Sequence, residues 1–268
     1  MEPAHLLAYA LTAFLGLTMG LIGAGGSIVI VPVMVYLLQV PAERATGQSL
    51  FVVGSVSLFG MLLAARKSEV ALGTAALFIA ASLPMAYVGR GYLLPALPES
   101  FAFGGYALDR SALLMLLFAL TMSLAARSML VSKAVAVNAS PPAWVILPLA
   151  AVVGLVTGFL GAGGGFVIVP ALALAARMPM KQAVGTSLAI IAANSAAGFG
   201  AEMGHGTPPW PLLLPLALTA MTGMAVGTAL RSRFDGQYLR RLFGWFVLSV
   251  AALILIEEIW RLVYPEAR

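Results

Sequence analysis

The sequence predicts an all-α polytopic membrane protein built from two inverted-topology repeats. Each repeat should be a broken, re-entrant-like helical hairpin followed by three transmembrane helices. Three observations carry this expectation: long uncharged windows, a glycine-rich motif that occurs twice, and a bias of basic residues that reverses between the halves. Hydrophobic residues make up 61% of the 268 residues and charged residues 9%, where an ordinary soluble chain carries about 25% charged residues. Leu6 to Ala42 holds no Asp, Glu, Lys, Arg or His, and neither does Ala134 to Ala176. A helix needs ~20 apolar residues to cross the hydrocarbon core of a bilayer. The chain is therefore expected to be a multi-pass inner-membrane protein. The N-terminus carries Glu2 and no basic run, so the first apolar stretch is expected to remain in the mature protein.

The motif runs from Gly16 to Pro32, GLTMGLIGAGGSIVIVP, and again from Gly154 to Pro170, GLVTGFLGAGGGFVIVP. The copies lie 138 residues apart, and between Gly16 and Leu50 16 of 35 positions are identical at that offset. Pro41 matches Pro179, Gly47 matches Gly185, Ser49-Leu50 matches Ser187-Leu188, and Gly60 matches Gly198. Self-similarity at a fixed offset marks a duplicated unit, and many transporters are duplicated units. We divide the chain into a first repeat, 1–130, a cytoplasmic linker, 131–142, and a second repeat, 143–268, in one membrane domain.

In order, the apolar segments are Leu6–Leu38, broken at Gly23–Ser27, then Gly47–Ala65, Val70–Gly89 and Ser111–Leu130. A Gly- and Pro-rich connector, residues 89–110, precedes the last of these. The second half offers Ala143–Ala176, also broken, then Ala183–Ala201, Trp210–Leu230 and Leu242–Ile259. Trp144, Trp210, Trp245, Trp260 and Tyr264 read as interface anchors.

Orientation follows from Lys and Arg, which are in excess in cytoplasmic connectors. Arg66 and Lys67 follow the second segment of the first half, whereas the matching connector, Glu202 to Pro209, has neither. One segment later the bias reverses: Arg231, Arg233, Arg240 and Arg241 stand where the first half has Arg90 and Arg110 beside Glu99 and Asp109. The halves are thus expected upside down relative to each other, with both termini periplasmic. Each broken segment should enter and leave from one side as a hairpin of two short helices. The rival arrangement, with parallel repeats, would put the four-arginine connector outside.

Irregular backbone is tolerated at membrane depth only inside protein or beside a water-filled cavity. Two matched breaks therefore point to a cavity. Backbone N–H groups at a restarting helix suit an anion, which makes Gly25, Gly26, Ser27, Gly163, Gly164 and Gly165 candidate substrate-binding positions. The other reading is that small residues merely let helices approach closely. Gln48-Ser49 and Thr186-Ser187 read as the openings of the helices after the breaks, where they would cap a helix or bind an oxyanion. Ser55, Ser57, Asn194 and Ser195 lie about two turns deeper, and an intramembrane Asn needs a partner. Arg90 is a candidate to reach in from an end, or to snorkel to the headgroups.

Several classes are set aside. There is no cysteine, hence no thiol chemistry or disulfide. No His or carboxylate stands at membrane depth beside a serine, so an intramembrane enzyme lacks its base. Basic residues sit in short connectors rather than on one face, which does not suggest nucleic acid. Neither metal nor cofactor is called for; the partners are the lipid bilayer and a small anionic substrate, and a homodimer is left open.

The duplicated G-x-x-x-G-x-x-G-x-G-G-[SG]-x-x-x-V-P, followed by A-x-G-[QT]-S-L, resembles the TauE/SafE sulfite exporter family, also called the toluene sulfonate uptake permease family. The resemblance covers nearly the whole chain. It implies a bacterial secondary transporter of small sulfur-containing anions such as sulfite, sulfoacetate or other organosulfonates. Export by alternating access is the expected mode, and a channel-like anion pore of the same fold is the alternative. Gln48 departs from the more familiar Thr at that place, which bears on substrate choice.

Overall fold

The computed structural model describes residues 3–23, 30, 33–40, 42–93, 96, 98, 100–103, 106–131, 142–160, 165–202 and 208–263. In chain order the helices are α1 (Pro3–Ile22), α2 (Ala42–Ala65), α3 (Leu72–Val88), α4 (Arg110–Val131), α5 (Ala143–Leu160), a short α6 (Gly165–Pro170), α7 (Met180–Glu202), α8 (Trp210–Arg231) and α9 (Gly236–Val263). Four apolar stretches, in α2, α7, α8 and α9, are long enough to cross a membrane; α1, α3, α4 and α5 hold shorter ones. Leu62, Leu77, Leu120, Val152, Leu218 and Leu253 point outward and are exposed. Spread over so many helices, such a surface suits lipid rather than water. The expectation of an all-α polytopic membrane protein holds.

One connector differs. Residues 89–110 read as irregular, but they begin with a wide helical turn, Gly89–Leu93, and hold a hairpin of β1 (Ser100–Phe103) and β2 (Tyr106–Asp109). Ser100 pairs with Asp109 and Phe103 with Tyr106, antiparallel. Alternation of Phe101 and Phe103 with small residues, and Gly104-Gly105 between the strands, are hairpin signals. They went unread because the segment was judged by its Gly and Pro content.

The halves match in structure as they do in sequence. Val33–Leu37 and Ala171–Ala175 are both π-helical turns, closed by Leu38 N–H to the Val33 carbonyl (3.2 Å) and Ala176 N–H to the Ala171 carbonyl (3.0 Å). Each ends on a left-handed residue, Gln39 at φ 52° and Arg177 at φ 54°, 138 positions apart. Packing repeats too. α1 lies along α8 and α5 along α3, while α2 packs on α7 and α4 on α9. A shift of 138 residues turns the α1–α8 pair into α5–α3 and maps the α2–α7 and α4–α9 pairs onto themselves with partners exchanged.

Close contacts fix directions. Phe51 lies beside Phe199, Gly54 beside Ser195, Gly60 beside Leu188 and Ala64 beside Gly185. As numbers rise on α2 they fall on α7, so these equivalent helices run antiparallel. Ser55 and Asn194 stand at the level where they cross. α1 and α8 are parallel: Ala13 lies near Gly223, Gly16 near Ala220, and Gly20 near Gly227 and Thr228.

Basic connectors gather at one end of the bundle. Lys67 Nζ donates to the Thr228 carbonyl (3.1 Å), Lys181 Nζ to the Ser232 carbonyl (3.5 Å), and Arg231 pairs with Glu69. Connectors 66–71, 176–180 and 232–235 therefore share one face. α1 ends toward this basic face, so Pro3 starts at the far end.

The broken hairpins are lopsided. α1 has 20 residues and α5 has 18, about 30 and 27 Å of rise, so neither first arm is short. The return arm of the second hairpin, Gly165–Ala175, is about 16 Å. Nothing stops α1 before Ile22, because its glycines are held by packing: a Cβ on Gly16 would collide with the Ala220 carbonyl, and one on Gly20 would sit 2.6 Å from the Met224 carbonyl. Gly154 of α5 meets the Ser82 carbonyl of α3 in the same way. The close-approach reading is right for these glycines. Gly23 is different. Its φ of 77° is left-handed, where a side chain is strained, and its N–H closes the helix onto the Met19 carbonyl at 2.7 Å.

Candidate functional site

Gly25, Gly26, Ser27, Gly163 and Gly164 lie outside the described residues. Gly165 begins α6 and is buried. Gln48-Ser49 and Thr186-Ser187 are not helix openings. α2 and α7 reach back to Ala42 and Met180, because Ala-Glu-Arg and Met-Lys-Gln after the prolines are good helix formers. All four residues are buried and sit about two turns inside, where no capping position exists.

Nor do the two pairs meet. Ser49 is level with about Gly200 on antiparallel α7, and Gly200 to Ser187 is roughly 20 Å of helix rise. Ser187 belongs to the basic end and Ser49 to the far end. Gly23 lies against Val184 of α7, so the first break also belongs to the basic end. α5 packs along α3, as α1 packs along α8. The residues of the two breaks, 24–29 and 161–164, lie outside the described residues.

Thr186 and Ser187 hold the fold at the basic end. Ala71 N–H donates to Thr186 Oγ1 (3.0 Å), which ties the α2–α3 connector to α7. The Ser187 hydroxyl reaches the Gly23 carbonyl (3.1 Å) and its own-helix Val184 carbonyl (2.8 Å). It has one proton to give, and that proton is already directed at carbonyls. Thr186→Val should therefore leave the Ala71 N–H without its acceptor and cost about 1–3 kcal/mol. A thermal unfolding midpoint that falls by several degrees in detergent is the expected result.

The polar groups without partners lie elsewhere. Ser57 Oγ, Asn194 Oδ1 and Ser195 Oγ are buried and have no hydrogen-bond partner. They cluster where α2 and α7 cross: Ser57 shares the face of Gly54 and Gly60 by helical spacing, and Gly54 abuts Ser195. Ser55 stands at the same level and is half-buried. Gln48 Oε1, two turns toward the far end, is likewise without a partner. Each such group costs free energy in an apolar interior, so a line of them along one seam is a functional signature. The Ser57 and Ser195 hydroxyls can donate to an oxyanion, whereas the partnerless oxygens of Asn194 and Gln48 are acceptors, and on those residues only the amide NH2 donates.

Each end of this seam carries a side-chain cluster. At the far end Phe51, Phe199 and Trp210 form a cluster with ring centroids 5.3, 5.2 and 6.3 Å apart. At the basic end Arg231 Nη2 donates to Glu69 Oε2 (2.6 Å), with the Arg231 side chain 1% exposed. Sequence reasoning missed this pair, counting Arg231 only as a topogenic charge. The signal available was Glu69, a carboxylate between two uncharged segments next to Arg66 and Lys67. Arg90, singled out instead, has a side chain outside the described residues. Trp144, Trp210, Trp245 and Trp260 are all exposed, as anchors should be; Trp210 also joins the aromatic cluster, and Tyr264 lies outside the described residues. No group of three or more His, Cys, Asp or Glu that could hold a metal occurs among the described residues.

Comparison with known proteins agrees with this architecture. The family model described as Sulfite exporter TauE/SafE matches residues 8–254. A probable membrane transporter protein of Xylella fastidiosa (strain 9a5c) is 31% identical over 255 residues, covering 92% of this chain and 91% of the relative. The probable membrane transporter protein YunE of Bacillus subtilis (strain 168) is 27% identical over 278 residues, covering 95% and 100%. No solved structure matches.

Proposed function

This chain belongs to the sulfite exporter TauE/SafE family and is a multi-pass membrane transporter, and from that premise we propose that its cargo is a small sulfur-containing anion. Sulfite, sulfoacetate or another organosulfonate is carried outward across a bacterial inner membrane by alternating access. One observation carries the route: the partnerless polar atoms of Ser57, Asn194 and Ser195 at the crossing of α2 and α7. Rocking of the two halves about this crossing would open the Glu69–Arg231 end and the Phe51–Phe199–Trp210 end in turn. Antiparallel α2 and α7 support an inverted repeat over a parallel one, because inversion about an axis in the membrane plane reverses equivalent helices. With the basic face taken as cytoplasmic by the Lys/Arg rule, both termini would be periplasmic. Repeats at 1–130 and 143–268, joined by a linker at 131–142, fit this scheme.

The oxyanion would take donors from Ser55, Ser57, Asn194 and Ser195, with Gln48 and Ser49 on the far-side approach. Backbone N–H groups at Gly25, Gly26, Ser27, Gly163, Gly164 and Gly165 would flank the route at the breaks. Ser187 directs its proton at carbonyls, while Thr186 accepts from Ala71 and keeps its own proton to offer the anion. A carrier and a pore differ in flux. In proteoliposomes loaded with unlabelled sulfoacetate, external radiolabelled sulfoacetate should accumulate transiently by counterflow, with saturation. Ohmic current without counterflow would instead mean a pore.

A further inference from the structure

Arg231 ends α8, and its side chain is 1% exposed; that of Glu69, its partner, is 14% exposed. The contact between them is a single bond, Nη2 to Oε2 at 2.6 Å. Nε and Nη1 are buried and have no partner. A buried guanidinium left with unmatched donors is costly, and such residues at the edge of a membrane core are functional by default. Arg240 on α9 also has a partnerless Nε and Nη1, but its side chain is only half-buried.

The shape of the group says more. A guanidinium offers two forked edges, Nε with Nη2 and Nη1 with Nη2. Nη2 carries one hydrogen on each edge, so its single bond to Glu69 occupies one fork and leaves the other open. A ligand with two oxygens can take the open fork with Glu69 in place. Glu69 is itself tied into the fold, on the connector at the basic end. Its carbonyl lies against Gly185 of α7, Ala71 is tied to Thr186, and Lys67 is tied to α8.

We propose that Arg231 is an anion-binding residue at the basic end of the α2–α7 seam, where a two-oxygen oxyanion such as a sulfonate or sulfite takes the guanidinium edge that Glu69 leaves open. Glu69 is then an internal competitor, a like charge on the same guanidinium that weakens the anion's hold. This deepens the anion-transport reading and rests on it. Lys67 and Lys181, both directed at carbonyls on this face, add positive potential that draws anions to it.

The test is binding of sulfite and of sulfoacetate, by calorimetry, to the purified full-length protein and two variants in nanodiscs. Glu69→Gln removes the competing charge and should bind about two- to fivefold more tightly. Glu69→Gln/Arg231→Gln exchanges the buried ion pair for a neutral one, which the fold tolerates, and should bind about tenfold or more weakly than Glu69→Gln alone. A merely structural pair predicts weakening in both variants. Equal affinity in the two variants, or weaker binding by Glu69→Gln, overturns the assignment while wild-type binding leaves the anion-transport reading standing. Should wild type bind neither sulfur anion yet bind phosphate or acetate with the same dependence on Arg231, the site holds and the sulfur-anion reading falls. Absence of binding by wild type to all four overturns both.

Discussion

Asn194→Leu is expected to reduce transport about tenfold or more while leaving the protein at least as stable as wild type. The two effects have one cause. Asn194 Oδ1 is buried without a partner, so an apolar side chain of similar size relieves a desolvation cost of about 1–3 kcal/mol. The same change removes a donor amide from the level where α2 and α7 cross. Ser57→Ala combined with Ser195→Ala should behave alike, since neither hydroxyl has a partner to lose. Initial rates of sulfoacetate uptake into proteoliposomes and unfolding midpoints in detergent are the paired readouts. A structural role for these groups would give the opposite pattern, with stability falling and transport per folded molecule kept.

Gly16→Val and Gly223→Val should each remove about 3 kcal/mol or more of stability, enough to leave little monodisperse protein. A Cβ at Gly16 collides with the Ala220 carbonyl of α8, and one at Gly223 collides with the Ala13 carbonyl of α1. Both obstacles are backbone, so no rotamer change relieves them, and α1 cannot withdraw without losing its whole contact with α8. Gly73→Val is the control, because nothing lies within 4 Å of a Cβ there. Size-exclusion profiles after membrane extraction would separate the three.

Much of the fold was legible because membrane segments are written in composition. Uncharged windows located the helices, and the 138-residue offset exposed the duplication that reappears in the matched turns at Val33–Leu37 and Ala171–Ala175. The clustering of basic connectors followed from charge counting, since Lys and Arg must stay near water. What stayed hidden was depth. Glycine means either a break or a close approach, and only neighbours decide which. Gly16 and Gly154 meet carbonyls of other helices, while Gly23 ends one. Polar residues posed the same difficulty. Thr186 and Ser187 looked available, but the Ala71 N–H and the Gly23 carbonyl, 115 and 164 residues away in the chain, engage them. Ser57, Asn194 and Ser195 were noticed for their depth, yet that they lack partners is a three-dimensional fact. Glu69 and Arg231, 162 residues apart, could not be paired from one sequence.

The chain has no cysteine, so a single introduced thiol reports on one place. Ser195→Cys in proteoliposomes, treated with a small membrane-impermeant thiol reagent from either side, tests directly whether the α2–α7 crossing lies on the anion's route. The expected result is slow labelling from both sides, with sulfoacetate retarding it at concentrations that saturate transport. A thiol there that never reacts, or that reacts at a rate indifferent to sulfoacetate while transport proceeds, would contradict a path through this seam.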